Sequence, residues 1–130
     1  MRTLQPQGWP RPRGYANGIE AEGRMIFVAG QIGWDETGQI KTSDFAGQFR
    51  QALSNTLAVL KEASAGPEHI ARMTWFITSR AEYSASLAEL GAAWKELMGR
   101  NYPAMSVIIV AGLVEPDAKI EIETTAVIGS

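Results

Sequence analysis

The run Met105-Ser106-Val107-Ile108-Ile109-Val110 carries apolar side chains at odd and even positions alike. Successive side chains of a strand point to opposite faces of a sheet, so a strand built from this run needs cover on both. Residues 70–78 (IARMTWFIT) are also rich in β-branched and aromatic side chains and read as a second strand of the same kind. The chain must therefore find something to lie on each side of its sheet, and that requirement constrains the fold most.

One side is legible. Phe45, Phe49, Leu53, Leu57 and Leu60 recur at helical spacing behind Ser43 or Asp44, either of which can cap a helix, and Gly66-Pro67 closes the segment. A second helix is expected behind Ser79, with Glu82 completing a capping box and Tyr83, Leu87, Leu90, Trp94 and Leu97 forming one apolar stripe up to the stop at Tyr102-Pro103. Ahead of the first helix, residues 15–20 and 25–32 read as a hairpin joined by Ala21-Glu22-Gly23-Arg24. After the second, residues 104–111 and 119–127 read as strands separated by Gly112 and Glu115-Pro116-Asp117. The order β-β-α-β-α-β-β predicts an α+β fold with two helices on one face of a sheet. Two helices cover one face only, and in a chain this small the economical cover for the other is a further copy of the chain.

Composition narrows the function. At 130 residues the chain, 1–130, is expected to be a single domain. Twelve basic against fourteen acidic residues give a net charge of −2, and Arg2, Arg11 and Arg13 are interrupted by prolines, so no basic stripe exists to bind nucleic acid. The chain has no cysteine and one histidine, His69, which excludes disulfides, thiolate metal sites and a histidine cluster; no metal is expected. No window reaches the roughly 18 apolar residues of a membrane span, so a soluble, cytoplasmic protein without membrane association is expected.

Several dispersed motifs then stand together: Gly14-Tyr15, FVAGQIGWDETGQI, QFRQALSNTLAVLKEA, TWFIT, YPAMSV and KIEIETTAV. In order and spacing they resemble the RidA family (reactive intermediate deaminase, also YjgF or endoribonuclease L-PSP), from about Gly14 to the C-terminus. The resemblance implies a chorismate-mutase-like fold, a homotrimer whose sheets form a central barrel, and small-molecule clefts between subunits. In deaminating members the cleft hydrolyses imines or enamines to a keto acid and ammonia without a cofactor. It further implies that Glu121 orients water as the catalytic carboxylate and that Tyr15, Ala29, Gly30, Gln31, Leu87, Met105 and Val107 line the substrate site. Four of these depart from the family pattern: Met105 stands where an Arg grips the substrate carboxylate, Ala29 where a Ser assists, Leu87 where a cleft Asn falls and Val107 where a Cys is frequent.

A guanidinium holds a carboxylate by two charge-assisted hydrogen bonds, and a thioether offers neither charge nor donors. Met105 thus argues against the usual small amino-acid-derived imines and for a larger, more apolar or differently charged ligand, such as an aminomuconate-like intermediate. Arg13, two residues before Tyr15, is the candidate replacement anchor. A trimeric binder without catalysis is the alternative, and RNA cleavage is the weakest reading for want of a basic groove and a His pair. Plainer roles exist throughout. Glu121 alternates with apolar residues as any solvated strand face does, Tyr15 can serve as a ring anchor on the sheet, and Met105 and Leu87 fit a core. Trp34 reads as core cover and His69 as a surface residue.

Overall fold

In the computed structural model, which describes residues 1–129, every second residue along much of the two central strands is buried. Ile70, Met73, Trp75 and Ile77 do this for β4 (Ile70–Ile77), and Ile120, Ile122, Thr124 and Ala126 for β6 (Ile120–Ile128). These two strands pair antiparallel. Beyond them lie β3 (Arg24–Gln31), antiparallel to β6, and β5 (Ala104–Ile109), parallel to β4, giving a mixed sheet of order β3-β6-β4-β5.

Three helices cover the face carrying the buried side chains. α1 (Phe45–Lys61) begins at Asp44, whose carboxylate accepts the Gly47 N–H at 2.8 Å, and turns Phe45, Phe49, Ala52, Leu53, Thr56 and Leu60 inward. Phe49 sets its ring centroid 4.7 Å from that of Trp75. Fully buried side chains such as Phe49 and Leu53 contribute roughly 1.5–3 kcal/mol each. The expected second helix is broken into α2 (Arg80–Ala85) and α3 (Leu87–Met98). Ser84-Ala85-Ser86 is a poor helix interior because serine hydroxyls compete for backbone partners, and Ser86 leaves helical geometry at φ −107°, ψ 7°. As a result Leu87, expected in the buried stripe, stands 55% exposed, while Leu90 and Trp94 are buried.

The hairpin expected from residues 15–20 and 25–32 does not form. β2 (Gly18–Glu20) pairs instead with β1 (Arg2–Leu4), a strand that proline-rich surroundings conceal, and an Arg2–Glu20 ion pair of 3.1 Å joins them. β3 is taken by β6, and Gly23 explains the separation. Its φ is 143° and a Cβ there would fall 2.1 Å from the Ile128 carbonyl oxygen, so the turn is pressed against the end of β6.

The loop after β3 is fastened from both sides. Asn55 of α1 donates to the carbonyls of Ile32 and Trp34, at 3.1 and 2.8 Å. Asp35 accepts from Thr37 and the Gln39 N–H and pairs with Lys41 at 2.8 Å, and the Lys41 ammonium, followed by the Thr37 hydroxyl, holds its carboxyl well below the usual carboxylate range. Gln48, buried on α1, donates to the Thr42 and Asp117 carbonyls and accepts the Lys119 N–H, tying this loop to the turn before β6. Trp34 lies at the surface rather than in the core. His69 closes the short 3₁₀ turn Pro67–His69 by accepting the Gly66 N–H on Nδ1 at 3.0 Å, a structural role. No helix among the described residues is long and apolar enough to cross a membrane.

Candidate active site

Met105 sits opposite Met73 and Val107 opposite Trp75 in the parallel β4–β5 pair, so both point to the helix-covered face. There they floor a cleft of about 790 Å³ between the sheet edge and the helices. Leu87, Leu90 and Trp94 of α3, with Tyr83 of α2, make its wall. The break at Ser86 is what leaves Leu87 on the cleft surface instead of in the core.

The rim comes from two segments held together by the backbone. The Ala16 N–H donates to the Pro103 carbonyl at 2.9 Å, in a parallel bridge with Ala104, which carries Arg13, Gly14 and Tyr15 to the cleft beside Arg100 and Tyr102. Lys95 joins them from α3. Trp94 stacks on Tyr102, ring centroids 6.2 Å apart and planes 12° from parallel, and Trp75 lies behind at 6.0 Å from Trp94.

Glu121 is elsewhere. It pairs with Phe76 on the sheet face that carries no helix, between Ile120 and Ile122, which point the other way. Next to it β3 bulges: Val28 faces Thr124 and Gln31 faces Ile122, leaving Ala29 and Gly30 against Glu123 alone. A Cβ on Gly30 would lie 2.3 Å from Oε2 of Glu121, so only glycine lets the carboxylate rest against this backbone. Gln31 turns its side-chain amide back to the Ala29 carbonyl at 3.1 Å. Among the described residues no cation pairs with Glu121 within ion-pair distance.

The expected site residues thus fall into two groups. Arg13, Tyr15, Leu87, Met105 and Val107 meet in the cleft; Gly30 lies against Glu121 on the opposite face, with Ala29 beside it in the bulge, while Gln31, at the end of the bulge, pairs with Ile122. Within one chain the sheet stands between them, so Met105, Leu87 and Val107 do not desolvate that chain's own Glu121. Sequence reasoning missed the aromatic lining and the cations Lys95 and Arg100: Tyr83 and Trp94 read as helix stripe and Tyr102 as a helix stop, and no local pattern separates a cation on or just after a helix from solvated surface. A second hollow of about 590 Å³, beside Lys41, Thr42 and Asp117, is less suited to a ligand because Gln48 already satisfies the Thr42 and Asp117 carbonyls. No group of three or more His, Cys, Asp or Glu side chains among the described residues could hold a metal ion.

Comparison with known proteins places this geometry in context. The family model described as endoribonuclease L-PSP matches residues 10–128. A RutC family protein of Pyrococcus abyssi is 33% identical over 119 residues, covering 90% of this chain and 89% of the relative. The 2-iminobutanoate/2-iminopropanoate deaminase of Escherichia coli is 33% identical over 128 residues, covering 97% of both. A solved structure of a Rid family protein of unknown function from Yersinia pestis superposes with a TM-score of 0.84 at 32% identity, covering 98% of each chain.

Proposed function

The chain belongs to the endoribonuclease L-PSP (RidA/YjgF) family, and from that membership we propose that it hydrolyses an imine or enamine other than the usual small amino-acid-derived ones, at a site completed between copies of the chain. The observation that supports this most is the division of the site. One face presents a walled cleft without a carboxylate, the other a carboxylate without a cleft, and a copy packed on the open face brings one to the other.

The chemistry follows from those parts. Water adds to the imine carbon while Glu121 of one copy accepts its proton; the proton passes to nitrogen, ammonia leaves, and C=N has become C=O. No electrons change hands, so the reaction itself requires no electron carrier. The cleft of the neighbouring copy holds the substrate, and Met105, Leu87 and Val107 give that pocket an apolar floor and wall where a small imino acid would want polar partners.

Glu121→Gln keeps the shape and removes the base. With imines generated in situ by an amino-acid oxidase from a panel of amino acids, the variant should lose about 10²- to 10⁴-fold in kcat while product keto acids bind within about tenfold of wild type. Equal turnover by the variant would reject Glu121 as the base. Binding without turnover in either form would establish the non-catalytic binder instead.

A further inference from the structure

Position 105 lacks a carboxylate anchor, yet the cleft is not short of positive charge. Arg13, Lys95 and Arg100 all line it, none forms an ion pair among the described residues, and no acidic residue is in its lining. Three unneutralised cations around a hollow of about 790 Å³ raise the local concentration of anions and disfavour a neutral or cationic ligand. Arg100 lies where the cleft meets a smaller hollow of about 280 Å³, which shares Tyr15 and Tyr102 and adds Arg11. Positive charge is thus concentrated at the Tyr15–Tyr102 end, with only Pro103 and Ala104 separating Tyr102 from Met105 along the chain.

The surface between these cations and the floor is aromatic. Trp94 and Tyr102 form a near-parallel pair, with Trp75 behind them. The indole N–H groups of Trp75 and Trp94 are buried and find no partner among the described residues, although both side chains belong to the cleft lining and are more than nine-tenths buried. A flat ring placed against the exposed Tyr102, which Trp94 backs, gains stacking area, and guanidinium groups at the rim favour its attached carboxylate.

We propose that Arg13 and Arg100 supply the carboxylate grip missing at position 105, and that the Trp94–Tyr102 wall selects a carboxylate bearing a planar aryl group, the substrate being its 2-imino or enamine form. This rests on the hydrolase reading for the reaction but not for the binding. Arginine is suited to the role because its planar fork meets both carboxylate oxygens, whereas Lys95 adds a point charge. Hydrolysis would add water across C=N and release an aryl-bearing 2-keto acid and ammonia.

Calorimetric titration of the assembled protein with phenylpyruvate, pyruvate and phenylacetone separates the contributions. Phenylpyruvate should bind at least about tenfold more tightly than pyruvate, which lacks the ring, and than phenylacetone, which lacks the carboxylate. The double variant Arg13→Gln/Arg100→Gln should lose that advantage over phenylacetone, and the exposed Tyr102→Leu should lose much of the advantage over pyruvate. Equal affinity for phenylpyruvate and pyruvate, or an unchanged preference in both variants, would overturn the proposal. Turnover assays on imines from phenylalanine and from 2-aminobutanoate keep the two readings apart. Tight phenylpyruvate binding with no turnover of the phenylalanine imine would sink the hydrolase reading and leave the ligand class standing; turnover of both imines without aryl preference would do the reverse.

Discussion

A thioether on the floor of a cleft whose cations sit at the rim changes where a substrate can be held. An arginine at 105 would rise from β5 between Val107 and the rim and hold a carboxylate low in the cleft, close to a small substrate's reacting carbon. Met105→Arg is therefore expected to raise kcat/KM for the imine of 2-aminobutanoate by about tenfold or more, the equivalent of roughly 1.4 kcal/mol, with the gain limited because Leu87 and Ala29 remain. Unchanged turnover in the variant would show that carboxylate binding does not run through this position. At this scale the sequence was informative about Met105 because a motif fixed its register, and about Arg13 because it precedes Tyr15. It could not reveal that the Glu121 carboxylate lies against Gly30, since that approach joins two strands through a bulge that leaves no local signature.

The helix that carries much of the core starts from a single side chain. Asp44 accepts from the Thr42 hydroxyl at 2.6 Å and from the Gly47 N–H at 2.8 Å, and these partners, the hydroxyl first, hold its carboxyl below the usual carboxylate value. Because the folded-state value is depressed, its contribution is full above the unfolded carboxylate range of about 3.9 and is lost as pH falls through the lowered folded value. Asp44→Ala should destabilise by about 0.5–2 kcal/mol in urea unfolding at pH 7, and the gap to wild type should narrow below about pH 4. A gap that stays constant down to about pH 2 would show that the charge plays no part. This helix was legible because its stripe and cap are local, and so were β4, β5 and β6. The hairpin was misread because the partner a short strand takes depends on contacts distant in sequence, and the second helix because its apolar stripe runs on across the locally unfavourable Ser84-Ala85-Ser86. β2 chose Arg2–Leu4, and Gly23 is pinned by the end of β6.

Across the whole molecule the sheet face without helices still presents Met25, Phe27 and Ile108 to solvent, Phe27 being 72% exposed. Apolar side chains repeated over strands β3 and β5 of one sheet mark a surface built to be covered, and Glu121 and Gly30 lie on that same face. If identical copies cover it in a closed ring, each interface joins one copy's cleft to the next copy's carboxylate; light scattering should then give three times the 14.1 kDa protomer mass. Mass alone does not establish a shared site, but complementation does. Gly91 lines the cleft on the exposed side of α3, and a Cβ added there would meet nothing within 4 Å, so Gly91→Trp should fill the cleft without disturbing the fold. That variant lacks a usable cleft and Glu121→Gln lacks a base, so each alone should be inactive on a substrate that wild type hydrolyses. Unfolded together and refolded as mixed rings, they create interfaces where the intact cleft of one meets the intact carboxylate of the other. Random assembly makes about a quarter of all interfaces productive, so roughly a quarter of wild-type kcat should return with KM unchanged. A site contained within one chain, or an assembly that buries the open face without bringing Glu121 to a neighbouring cleft, would return no activity at all on mixing.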